Sequence, residues 1–155
     1  MKRLLTLFLL LLPALIALAE DKNKVKSIDI VIDMPQAGMT MQQGEKLALK
    51  AAKTAFGDLA QKGIVTLQDL TWEGEFDDKN PEYPKFQAGH TYTCHVKLAF
   101  KYGGGYVTNY AKRDGDNCVD ETLLKATVNG KEATTQLSAP YYPGFLCFLT
   151  VPGGD

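Results

Sequence analysis

Apolar and polar residues alternate with a period of two along much of this chain. Between Thr91 and Phe100, one parity carries Tyr92, Cys94, Val96, Leu98 and Phe100, and the other carries Thr91, Thr93, His95, Lys97 and Ala99. Such alternation in β-branched and aromatic residues predicts a half-buried strand, entered through a turn at Gly89. Ile28, Ile30, Ile32 and Met34 alternate with Asp29, Val31 and Asp33 and predict a first strand, closed by Pro35. Ile64 to Trp72 predicts another. Its apolar parity changes near Gln68-Asp69, which suggests a bulge or a strand covered on both faces. Leu124, Ala126 and Val128 lead into Asn129-Gly130, and Ala133, Thr135 and Leu137 lead out, the pattern of a hairpin. Phe145, Cys147, Leu149 and Val151 predict a last strand.

One stretch follows a different period. Thr40-Met41-Gln42-Gln43 fits a capping box. Behind it, Leu47, Ala51, Ala55 and Leu59 form one row at i+4 spacing, and Ala48, Ala52, Phe56 and Ala60 a second. Glu45, Lys46, Lys50, Lys53 and Asp58 occupy the other face, so the spacing predicts an amphipathic helix over about 41–62, stopped at Gly63. Residues 73–85 read as a polar loop. Gly103-Gly104-Gly105 breaks the chain after the Thr91–Phe100 strand, ahead of a long loop or poorly patterned ribbon reaching Asp120. Short strands separated by turns, plus this one helix, predict a mainly β domain built as an antiparallel β-sandwich with an added helix.

The ends and the composition set the context. Met1-Lys2-Arg3, an apolar run from Leu4 to Leu18 and Ala17-Leu18-Ala19 have the order of a secretory signal peptide over 1–19. The apolar run is too short to predict a membrane span after cleavage. Residues 20–155 then form one domain, secreted or periplasmic. The net charge is −1 and becomes more negative once Lys2 and Arg3 are removed. That balance gives no reason to expect nucleic acid as a partner. Of the three cysteines, Cys94 and Cys147 sit on apolar strand faces and Cys118 in an acidic stretch. An oxidising compartment favours a disulfide. Cys118 paired with Cys94 or Cys147 is the expectation, with Cys94–Cys147 as the alternative.

Trp72, then Phe86-x-x-Gly89-x-Thr91-Tyr92-Thr93-x-x-Val96-x-Leu98, then Val128-Asn129-Gly130-Lys131, resembles the immunoglobulin-like modules of bacterial secreted and cell-surface proteins. The resemblance implies that Trp72 and Tyr92 are core residues and that Gly89 makes a turn; Phe86, Val96, Leu98 and Val128 are expected in the core with them. It implies a fold and says almost nothing about activity. The 41–62 segment and the 102–123 region depart from the family pattern, and a function particular to this chain is expected there.

Candidate chemistry is sparse. Tyr102, Tyr106, Tyr110, Tyr141 and Tyr142 are candidates for an aromatic surface that stacks on sugar rings or anchors a protein. Asp114, Asp116 and Asp120 are weak calcium candidates that do not follow EF-hand spacing. His90 and His95 are the only histidines, Ser27 and Ser138 the only serines, and no nucleophile elbow or zinc motif is present. The expectation is a non-catalytic binding module without a cofactor, whose partner is a protein or a cell-surface glycan. A carbohydrate-binding module using the loop tyrosines is the alternative, and a small secreted hydrolase or inhibitor a further one.

Overall fold

A computed structural model describes residues 24–101, 107–108, 124–138 and 142–153. Its elements are β1 (Lys24–Val25), β2 (Ser27–Ile32), α1 (Met41–Gly44), β3 (Leu49–Thr54), β4 (Gly57–Asp58), β5 (Val65–Glu73), β6 (Thr91–Phe100), β7 (Val107–Thr108), β8 (Lys125–Val128), β9 (Lys131–Ser138) and β10 (Tyr142–Thr150). Eight strands form one ladder in the order β4-β3-β2-β8-β9-β10-β6-β5, and β1 pairs with β7. The fold is mainly β, as the alternation predicts. The expected antiparallel pairing is corrected at two places: β2 runs parallel to β8 and β1 parallel to β7. A parallel pair needs a long crossover, and the chain between β2 and β8 supplies one.

The ladder curls at β9. Lys131, Glu132 and Ala133 pair with β8 on one side, whereas Thr134 to Ser138 pair with β10 on the other. The two neighbours are thus staggered along β9, and the sheet turns there. Ile28, Ile30, Ala52 and Val128 from one half join Leu70, Trp72, Tyr92, Val96, Leu98 and Phe145 from the other in a single buried cluster. Trp72, Phe86, Tyr92, Val96, Leu98 and Val128 are all buried, in agreement with the core expected of them. The parity change near Gln68 is a true irregularity: the β5–β6 register shifts between Leu67 and Asp69, so Val65 and Leu67 precede it and Leu70 and Trp72 follow it on the core side.

The helix expected over 41–62 is corrected to a single turn. Its capping box forms: Thr40 Oγ1 accepts from Gln43 N at 3.2 Å, and Gln43 Oε1 accepts from Thr40 N at 2.9 Å. Gly44 and Glu45 then bond four residues back, but Lys46 and Leu47 bond only three back, and the chain enters β3. The physical reason lies in the apolar stripe. It is mostly alanine, which buries little area as a helix, and Gly44 and Gly57 each disfavour helix. As a strand the same residues satisfy the open edge of β2. Val31 pairs with Ala51 and Ile32 with Leu49, leaving Lys50 as an extra residue. This bulge breaks the period of two, which is why the segment imitates a helical repeat. Lys50 projects outward to Asp33 Oδ1 at 2.8 Å.

Asp58 ends this excursion. Its Oδ1 accepts from the backbone N–H groups of Ala52 and Ala60, both at 3.0 Å, and of Gln61 at 3.2 Å. The Ala52 bond above all holds the carboxyl below the usual aspartate range. A depressed folded-state value means this stabilisation is complete above the unfolded value of about 4 and is lost as pH falls through the folded one. In acid titrations of thermal stability, wild type should lose melting temperature faster below about pH 4 than Asp58→Asn does. At pH 7 the variant should be the less stable of the two. Parallel curves would contradict the assignment.

Asn129 has a second role besides its turn. With φ of 48° it takes the left-handed conformation beside Gly130 at 78°, as an Asn-Gly hairpin requires. Its amide also continues the β2–β8 pairing: Oδ1 accepts from Ile32 N at 2.9 Å and Nδ2 donates to Ile32 O at 3.1 Å. Asn129→Gly keeps the turn and removes both bonds. It should lower the urea unfolding free energy by about 1–3 kcal/mol.

Candidate functional site

The site expected from the tyrosines cannot be placed. Tyr102, Tyr106, Tyr110 and Tyr141 lie outside the described residues, as do Asp114, Asp116, Asp120 and Cys118. Tyr142 starts β10, opposite Ser138. Among the described residues no three His, Cys, Asp or Glu side chains gather around a metal-sized space.

The surface that does assemble is the outer face of β5, β6 and β10. Core residues take one parity of β6, so Thr91, Thr93, His95 and Lys97 project to the opposite side. Register brings their neighbours into rows: Phe148, Thr93 and Glu73 form one, and Leu146, His95 and Thr71 the next. Thr91 and Thr150 share a hydroxyl hydrogen bond of 2.8 Å at the end of the face. Phe148 stands two residues from the end of β10, past the stretch paired with β9, with 62% of its surface exposed, the more exposed of two large apolar side chains so described; the other is Tyr83. Burying a phenylalanine is favourable by roughly 1.5–3 kcal/mol. This ring gives up much of that, and it does so at a fixed place on a sheet rather than on a loop.

The imidazole of His95 lies at the centre of the face, between Thr71 and Leu146. Its Nε2 lies 3.9 Å from Glu73 Oε2, beyond hydrogen-bond distance, and is enclosed without a partner. Glu73 is mostly exposed. The ladder neighbours of His95 are Thr71 and Leu146, so no cysteine or serine stands opposite it in the register. His90 is occupied locally, its Nδ1 lying 3.2 Å from Ala88 O.

A groove of about 590 Å³ lies along β2, β8 and β9. Ser27, Asp29, Lys125, Thr127, Glu132 and Thr134 supply its polar groups. Thr127 already donates to Asp29 Oδ1 at 2.8 Å. The groove reaches Leu124, where the described segment begins.

Behind the β5–β6–β10 face, an aromatic cluster keeps the strands rigid. Tyr92 OH donates to Glu75 O and accepts from Gln87 N, each at 2.9 Å. Its ring lies 4.9 Å from that of Phe86 and 4.8 Å from that of Phe76. The ring is buried, as expected of a core residue, and backbone groups satisfy its hydroxyl. Phe148 was missed because Phe145, Cys147, Leu149 and Val151 describe the strand by its core parity alone. The signal was present: Leu146 and Phe148 are apolar on the parity that faces solvent.

Comparison with known proteins brought no match to a family model, to a curated protein or to a solved structure.

The two aromatic positions should separate in stability measurements. Phe148→Thr should change the unfolding free energy by no more than about 0.5 kcal/mol. Tyr92→Phe, which leaves Gln87 N and Glu75 O without their shared partner, should cost about 1–3 kcal/mol. Urea titrations of both variants check this, and a large loss at Phe148 would mean that its ring is packed.

Proposed function

We propose that this chain is a secreted, non-catalytic binding module, an immunoglobulin-like sandwich that engages a cell-surface glycan across its β5–β6–β10 face. The observation that carries the reading is Phe148: an aromatic ring held open to solvent on a paired strand, near its end. Around it lie the hydroxyls of Thr91, Thr93 and Thr150, the His95 ring and the Glu73 carboxylate. A single ring among hydroxyls and one acid suits the apolar face and hydroxyl rim of a sugar. A protein partner of ordinary size presses on a wider apolar centre. The sandwich reading is supported by β9, which passes from one half of the ladder to the other, and by Trp72 and Tyr92 in the core between them. The leader-like residues 1–19 support export from a bacterial cell, to the periplasm or beyond.

The test is binding of fluorescently labelled chain to intact bacterial cells. Cells are compared untreated, after periodate oxidation of their glycans, and after protease treatment. Wild type should bind untreated and protease-treated cells and lose binding after periodate. Phe148→Ala should weaken binding about tenfold or more, equivalent to 1.4 kcal/mol. Loss after protease instead would assign the face to a protein partner. Absence of binding to untreated cells, or binding indifferent to Phe148, would overturn the reading.

A further inference from the structure

Cys94 and Cys147 occupy a position that the binding face does not use. They point into the core from adjacent antiparallel strands and are directly opposite one another in the β6–β10 register. Both are fully buried thiols. Val151 N donates to His90 O at 2.9 Å, a contact of the same register. Counting by twos along the ladder makes Cys94 and Cys147 a hydrogen-bonded pair, with Cα atoms about 5.5 Å apart in such pairs. That separation lies inside the disulfide range of about 4.4–6.8 Å. Cβ atoms of opposed residues are typically about 4.5–5.5 Å apart, and a disulfide asks for about 3.5–4.5 Å. A hydrogen-bonded pair stands at the wider end of that range, so the strands need to close by at least about an ångström.

We propose that Cys94 and Cys147 are the chain's disulfide pair, joined across β6 and β10 when the protein folds in the presence of a disulfide oxidant. The pairing differs from the one expected from the sequence, in which Cys118 takes one partner. Pairing of β6 with β10 sets these two thiols opposite each other and so raises the effective concentration of each for the other. The thiols also hydrogen-bond each other, which holds Cys147 below its usual value and, with burial, pushes Cys94 up.

The chemistry balances as two exchanges. The thiolate of one of the two cysteines attacks one sulfur of the oxidant, such as glutathione disulfide, and expels one glutathione thiolate. The sulfur of the other, as its proton leaves to solvent, attacks the protein sulfur of the mixed disulfide and expels the second. The protein loses two protons and two electrons, and the oxidant becomes two thiols. Because both sulfurs are sealed in the folded state, the first exchange precedes the laying of β10 against β6, and the second follows as the strands pair. The bond then fastens the two strands that carry Phe148 and His95.

The test is a disulfide map of the full chain. Reduced, unfolded protein is refolded in a mixture of reduced and oxidised glutathione. Remaining thiols are alkylated in denaturant, and the unreduced digest is read by mass spectrometry. Alkylation should fall from the three cysteines of the reduced chain to one. That one should be Cys118, with the Cys94 and Cys147 peptides linked. Cys118→Ser should leave the link intact. The same map on chain folded inside cells with an oxidising cytosol covers the case of poor refolding. Alkylation of all three cysteines, or a link through Cys118, would overturn the proposal.

Discussion

The ring nitrogen of Trp72 donates to the carbonyl of Gly44 at 3.0 Å in a buried setting, and much of the architecture depends on that contact. An eight-stranded ladder that is not sealed edge to edge leaves two margins, here β4 and β5. The turn of α1 lies against β5, and the indole bond fixes it there. Gly44 has to be glycine, because a Cβ at that position would collide with the ring of Phe86. Phe86 in turn packs edge-on against Trp72 at 5.5 Å between ring centres. An indole N–H left unbonded in this core would cost about 1–3 kcal/mol. One hydrogen bond, one missing side chain and two stacked rings thus determine where the Met34–Leu47 segment can lie.

The open margin of β5 is guarded by other means. The bulge near Gln68 interrupts the regular pairing, and Leu70 N donates to the Asp69 carboxylate at 3.0 Å rather than to another strand. A bulge is a common way of making an edge unattractive to a second chain. Together with the stagger at β9, it leaves the outer face of β5, β6 and β10 as the broad regular surface on which a ring such as Phe148 stands out. The rigidity of that surface comes from the other side of the sheet, where Tyr92 ties β6 to the Glu75–Gln87 loop through two backbone bonds.

How much of this could be read in advance depended on whether local pattern and tertiary demand agreed. Along β6, Tyr92, Cys94, Val96 and Leu98 alternate without interruption, and the strand is where the pattern puts it. Asn129-Gly130 likewise names its own turn. The segment 41–62 failed because its alanines suit a helix locally, while the unpaired edge of β2 and the bulge at Lys50 decided otherwise. The parallel pairing of β2 with β8 was hidden because nothing within either strand records its neighbour's direction. The two bonds from the Asn129 amide to Ile32 span 97 residues, a separation no local pattern encodes. The exposure of Phe148 was written in its parity but is apparent only once the core side of β10 is known.

These threads meet in the claim that the sheet closes over the Trp72 indole. Trp72 is the chain's single tryptophan, so its ring N–H gives one resolved signal. Hydrogen exchange of that proton, followed by NMR alongside the backbone amides of β6, is the most direct measurement. Exchange as slow as the slowest β6 amides, requiring global unfolding, is what the bond to Gly44 predicts. Exchange at the rate of exposed loop amides would show an indole open to water and would contradict the account.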